Sequence, residues 1–157
     1  MKVGVISDTH GLLRPQVFPV FEGVEHILHA GDVGPADLLT ELEAIAPVTA
    51  VWGNTDGWEV RGRVPEVARL ELGGVAVVVF HGMQIGSPTA AKAAAAYPEA
   101  ELVVFGHSHR AVIERVGGVL AVNPGSAGPR RFRDPVTVAI AELSPGRTSA
   151  RLVELDV

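Results

Sequence analysis

Apolar residues in this chain come in short, nearly continuous runs. Val3–Ile6, Val48–Trp52, Val75–Phe80 and Leu102–Phe105 are examples, and each stops at a glycine or a polar residue. The first third predicts strands at Lys2–Ser7, His26–His29 and Val48–Trp52. Helices are expected between them, at Pro15–Phe21, distorted by Pro19, and at Pro35–Ile45. Pro35 suits the first turn of the second helix, and Leu38, Leu39, Leu42 and Ile45 form its apolar stripe. This βαβαβ order predicts parallel strands with right-handed crossovers.

The second half reads differently. Val67–Leu72 and Val75–Phe80 flank Gly73-Gly74, and Ala111–Arg115 and Val119–Val122 flank Gly117-Gly118. Both are hairpin signals. The alanine-rich stretch near Thr89–Ala96 predicts a packed helix before a strand at Leu102–Phe105. Val136–Leu143 and Ser149–Leu155 close the chain around a Pro145-Gly146 turn. The expected fold class is α/β, two mixed sheets packed face to face with helices outside. The length of 157 residues predicts one domain, 1–157.

Composition narrows the setting. The longest apolar run is far short of the ~20 residues that span a bilayer, and Val3–Ile6 is too short for a signal-peptide core. A cytoplasmic protein without membrane contact is expected. The net charge is −5 and no basic run exceeds two residues, which argues against a nucleic-acid polymer as partner. There is no cysteine, so thiolate metal sites are excluded.

The chemistry lies where the runs end. Five clusters follow predicted strands: Asp8-Thr9-His10, Gly31-Asp32, Gly53-Asn54-Thr55-Asp56, His81-Gly82 and Gly106-His107-Ser108-His109. They contain four of the six histidines and one of only two asparagines. The pairs Asp8/His10, Asn54/Asp56 and His107/His109 have the spacing that points both side chains to one face of extended chain. Glycine before Asp32, Asn54 and His107 is expected to let the backbone turn sharply off the strand.

Asp8, His10, Asp32, Asn54, His81, His107 and His109 make seven donors, more than the roughly four of one zinc site. Two divalent ions sharing a carboxylate would use them all. The oxygen–nitrogen set leaves manganese, iron(II), zinc, cobalt or nickel as candidates. Such a core stays net positive, attracts an anion and generates a nucleophile at neutral pH. Phosphate-ester hydrolysis is the reaction class it favours, with a small phosphate ester as substrate.

The order Asp-x-His, Gly-Asp, Gly-Asn, His, Gly-His-x-His, running from Met1 to about Arg133, resembles the calcineurin-like metallophosphoesterase superfamily. Within it, the chain is similar to small phosphodiesterases of the YfcE type. The resemblance implies a four-layer α/β/β/α sandwich. It implies that Asp8, His10, Asp32 and His109 hold a first metal, and that Asn54, His81 and His107 complete a second with Asp32 as bridge. It marks Asn54, Asp32 and His81 as catalytic, Asn54 also touching a phosphate oxygen, and Mn²⁺ as the usual activator.

Larger members carry a histidine after Gly-Asn that helps protonate the leaving group. Here that position is Thr55, which makes Asp56 and His29 the candidates for that proton. His29 is otherwise expected as a buried supporting residue. Asn123-Pro124-Gly125-Ser126 reads as a turn near the site, with Asn123, Ser126 and Arg130 as substrate contacts to test. Trp52 is expected in the core and Trp58 at a pocket wall. The rivals are a phosphomonoesterase or nucleotidase, and a non-catalytic scaffold like the retromer subunit that shares this fold. The chain is also compatible with a homo-oligomer.

Overall fold

The computed structural model describes residues Met1–Val157. Its strands are β1 (Lys2–Ile6), β2 (His26–His29), β3 (Val48–Ala50), β4 (Val67–Leu72), β5 (Val75–Phe80), β6 (Leu102–Val104), β7 (Val112–Val116), β8 (Val119–Asn123), β9 (Thr137–Glu142) and β10 (Ser149–Glu154). Its helices are α1 (Val17–Val20), α2 (Asp37–Glu43), α3 (Trp58–Arg63) and α4 (Ala90–Ala96). The strands form two five-stranded mixed sheets, ordered β10-β9-β1-β2-β3 and β4-β5-β6-β8-β7. β1, β2 and β3 are parallel, as the βαβαβ pattern requires. Both double-glycine turns join antiparallel hairpins, β4–β5 and β7–β8.

The apolar runs are continuous because most central strands are buried on both faces. Side chains alternate between layers with period two. Val3, Val5, Val77, Val79, Leu102, Val104, Leu120, Val122, Ala139 and Ala141 meet between the sheets. Ile6, Ile27, Ala50, Val138 and Ile140 face outward, under Val17, Phe21, Leu38, Leu39 and Leu42. Val78, Phe80, Val103, Phe105 and Ala121 pack under the alanines of α4. The result is helix, sheet, sheet, helix, the four layers expected. Gly4 is required here by space, since a Cβ would press on the ring of Phe21 at 3.0 Å.

Two segments depart from the sequence reading. Gly57–Pro65, for which the apolar pattern predicts no element, contains α3, whose Val60 is buried against the α2 layer. One buried side chain gives a helix too little apolar periodicity to be seen in sequence. The first helix is only four residues long and ends just after Pro19.

Candidate metal centre

The carboxyl ends of β1, β2, β5 and β6 meet along one edge of the sandwich, and the donors sit in the turns just beyond them. Five of these donors hold a left-handed backbone: Asp8 (φ 54°), His10 (45°), Asp32 (53°), His107 (70°) and His109 (61°). Each such residue costs on the order of 1 kcal/mol and persists only where its surroundings enforce it. Phe132 is the only other non-glycine residue in that region.

The preceding glycines act differently from expectation. Gly31 does take a positive φ of 98°, but Gly53 and Gly106 do not. They are needed for space. A Cβ on Gly53 would overlap the carboxylate of Asp32, and one on Gly106 would overlap the Ser7 hydroxyl and the Asp8 carboxylate.

The donors form two groups, Asp8/His10/His109 and Asp32/His81/His107, each with its ligand atoms within 4.8 Å of one another. In the first, Asp8 Oδ1 lies 3.2 Å from His109 Nε2 and 3.8 Å from His10 Nε2. The two imidazole Nε2 atoms are 3.4 Å apart. In the second, Asp32 Oδ2 lies 3.1 Å from His81 Nε2, and His81 Nε2 is 3.3 Å from His107 Nδ1. Asp32 Oδ2 also comes within 3.8 Å of His10 Nε2, so Asp32 stands between the groups.

Supporting bonds fix these orientations. His81 donates from Nδ1 to the Ala30 carbonyl at 2.7 Å, which turns the Nε2 lone pair of the neutral ring toward the centre. Asp8 Oδ2 accepts from the Ser7 hydroxyl at 2.6 Å and from the His107 amide at 3.2 Å. Asp32 Oδ1 accepts from the Thr55 amide at 3.0 Å.

The remaining atom of Asp8 tests whether cations fit. Asp8 is fully buried, yet its Oδ1 has no hydrogen-bond partner. A buried carboxylate oxygen that makes no hydrogen bond is costly. A cation among Asp8, His10 and His109 satisfies it, and oxygen and imidazole donors suit divalent transition metals.

The electrostatics agree. Burial alone would raise the Asp8 carboxyl, but His109 and His81 outweigh it and hold it below its ordinary value. Asp32 is likewise opposed by burial and pulled down by His81 and the Thr55 amide. Burial lowers His107, with the charge of His81 adding to the effect. His81 is raised: burial opposes its charge, but Asp32 and Asp8 prevail.

The remaining expected residues lie around these groups. Asn54 is exposed on the turn after β3, at the rim of the second group, between Gly53 and Thr55, which both lie against Asp32. The two proton-donor candidates are both engaged. Asp56 accepts from the Gly34 and Gly53 amides at 3.1 and 2.9 Å. His29 is fully buried, with Nδ1 accepting from the Gly31 amide and Nε2 facing Thr9 Oγ1. Burial pushes it down to about 4. Neither residue is free to hand a proton to a leaving group.

Of the expected substrate contacts, Asn123 and Ser126 are engaged in bonds within the chain. Asn123 is fully buried and donates to the Gly106 carbonyl and Ser108 Oγ, both at 3.1 Å, while accepting from the Gly125 amide. Ser126 donates to the Asp8 carbonyl at 3.1 Å. Both brace the loops that carry the donors. Arg130 is exposed and lines a surface groove with the C-terminal Glu154–Val157. Trp52 is half-buried against the core under the Arg61 guanidinium, 4.1 Å from the ring centre, and Trp58, though 82% exposed, lines a pocket with Gly34 and Val60. Sequence reading missed Ser7 and Ala30 as partners of the donors, because a hydroxyl and a main-chain carbonyl carry no motif of their own.

Known proteins place this geometry. The calcineurin-like phosphoesterase superfamily domain matches residues 1–146. A probable metallophosphoesterase of Methanothermobacter thermautotrophicus is 33% identical, over 98% of this chain and 92% of its own. A phosphodiesterase of Methanocaldococcus jannaschii is 29% identical, over 80% of this chain and 83% of its own. Among solved structures, a novel archaeal phosphodiesterase superposes with a TM-score of 0.76 at 24% identity, covering 98% of this chain and 100% of that one. Vps29 of Entamoeba histolytica, complexed with zinc, superposes at 0.78 and 23% identity, covering 98% and 99%. At such identities these two establish the shared fold. The domain match and the metallophosphoesterase relative establish more: this chain belongs to the calcineurin-like phosphoesterase superfamily.

Proposed function

We propose that the protein is a metal-dependent phosphodiesterase. Asp8, His10 and His109 would hold one divalent ion and His81 and His107 a second, with Asp32 shared and Asn54 adding a donor to the second from the rim. The observation that carries this reading is Asp8 Oδ1, a buried oxygen without a partner, facing imidazoles from two loops. Held by these residues, divalent ions would supply Lewis-acid chemistry and a nucleophile available at neutral pH. Mn²⁺ is the proposed activator, and Zn²⁺, Fe²⁺, Ni²⁺ and Co²⁺ suit the same donors.

The chain's own groups orient rather than transfer protons. Ala30 fixes the His81 tautomer, Ser7 and the His107 amide aim Asp8, and Thr55 aims Asp32. With His29 and Asp56 engaged, the chain favours esters whose leaving groups need little protonation. The diester preference draws on the phosphodiesterase relative. The cytoplasmic setting belongs to this proposal; no helix is long and apolar enough to cross a membrane.

The test is hydrolysis of an aryl phosphodiester with added Mn²⁺. We expect activity that a chelator and Asp32→Ala abolish. If the metal-loaded protein hydrolyses neither diester nor monoester, the reading fails; faster monoester cleavage would favour the phosphomonoesterase. The scaffold reading draws on the fold shared with Vps29. The converging donor groups weigh against it, since a site kept only as surface has no need of an unsatisfied carboxylate.

A further inference from the structure

Of the acidic residues, only Asp8, Asp32 and Asp56 are buried. The first two belong to the donor groups. Asp56 does not, and it takes part in none of the ion pairs. An acidic side chain is seldom buried without a charged partner, so what it bonds to calls for a reason. Its Oδ1 accepts from the Gly34 amide at 3.1 Å and its Oδ2 from the Gly53 amide at 2.9 Å. These amides lie on two different loops. Gly34 stands two residues past Asp32, after β2, and Gly53 directly precedes Asn54, after β3.

Both glycines press on the donors. Gly53 leaves no room for a Cβ beside the Asp32 carboxylate, and Gly34 leaves none beside the main chain of His10 and Gly11. The His10 and Gly11 amides donate to the Asp32 and Val33 carbonyls at 2.9 and 2.8 Å. The Thr55 amide, next to Asp56, donates to Asp32 Oδ1 at 3.0 Å. One carboxylate thus closes a set of contacts that joins the loops after β1, β2 and β3. Asp56 is itself anchored, since its amide donates to the Gly53 carbonyl at 3.1 Å and its carbonyl accepts from Arg61 Nε at 2.7 Å.

We infer that Asp56 is a positioning residue for the second ion, which it serves by fixing Asn54 relative to Asp32. Asn54 is exposed, so its placement depends on the turn that carries it. Asp56 holds that turn to the Asp32 loop through Gly53 and Gly34. The first group draws on Asp8, His10 and His109, none of which Asp56 bonds to. The inference rests on the reading that two ions bind here.

Asp56→Asn tests it. The amide keeps the shape and one acceptor, but its NH₂ meets a glycine N–H donor to donor. In calorimetric titration with Mn²⁺, one binding step should weaken about 10–100-fold and the other by less than about threefold. Electron paramagnetic resonance at stoichiometric Mn²⁺ should show a spin-coupled pair in the wild type and mainly isolated ions in the variant. Unchanged affinities, equal weakening of both steps, or a retained coupled signal overturns the inference while the two-ion reading stands. A wild type that binds no Mn²⁺ overturns both. If Asp56→Asn does not fold, amide exchange in the wild type decides: Zn²⁺ should slow exchange at Gly34 and Gly53 by about tenfold or more, and unchanged exchange overturns the inference.

Discussion

His29 Nε2 lies 3.0 Å from Thr9 Oγ1, and the threonine hydroxyl donates onward to the Val33 carbonyl at 2.7 Å. Because His29 Nδ1 accepts from the Gly31 amide, the ring must be neutral, with its proton on Nε2. The chain of bonds ties the loop after β1 to the loop after β2.

Stability should therefore depend on pH through His29. Its folded value is about 4, below the ordinary 6.5, so the unfolded chain binds the extra proton between them. The contribution is present above 6.5 and is lost as pH falls from there toward 4, by about 3 kcal/mol at most. Denaturant unfolding of the metal-free protein across that window measures it. His29→Gln should lower stability at pH 8 and flatten the slope.

Gly53→Ala should move Asp32. The new methyl would overlap the Asp32 carboxylate, so the side chain or the turn has to shift. We expect metal affinity to fall about 10–100-fold, as for other groups that orient a ligand. Metal titration by calorimetry reads the loss directly. Gly57→Ala, which meets nothing within 4 Å, is the control and should bind metal like the wild type.

Asp8→Asn should uncouple metal binding from stability. Metal at about 100 times its Kd raises the stability of the wild type by about 2.7 kcal/mol per site. The variant keeps the group that Ser7 and the His107 amide bond to but loses the charge of Oδ1. Thermal unfolding with and without Mn²⁺ should show most of the gain gone and a metal-free stability close to that of the wild type. An unchanged gain would remove Asp8 from the ligand set.

Asn123→Ala should act on folding and not on substrate affinity. It strips partners from the Gly106 carbonyl, Ser108 Oγ and the Gly125 amide at a fully buried site. About 2–3 kcal/mol of stability should be lost. If Asn123 braces the loop, hydrolysis by the folded fraction keeps its KM within about twofold. A large rise in KM with unchanged stability would restore it as a substrate contact.

Much of the fold was legible because period-two burial leaves a direct trace. Val77 to Phe80 reads as one apolar run because its side chains enter two different cores. The Gly73-Gly74 and Gly117-Gly118 hairpins formed where expected. Helix α3 was not legible, because only Val60 of its six residues is buried. The donors were legible as types and spacings, and the structure draws the six carboxylates and imidazoles among them into two groups. What sequence could not supply was the second partner of each polar group. Nothing in the letters shows that Asp56 is spent on two amides, or that the Asn123 carboxamide points inward.

The two donor groups share one further property. Asp8 and His10 follow β1 in one sheet, whereas His109 follows β6 in the other. Asp32 follows β2 in the first sheet, and His81 and His107 follow strands of the second. Neither group can be assembled from one sheet alone, and the closing contact between His10 and His109 spans 99 residues of chain. An ion seated in either group therefore rivets the two halves of the sandwich together. A complete group exists only once the two sheets have docked. Metal content is thus a report on correct closure of the fold as well as on the chemistry.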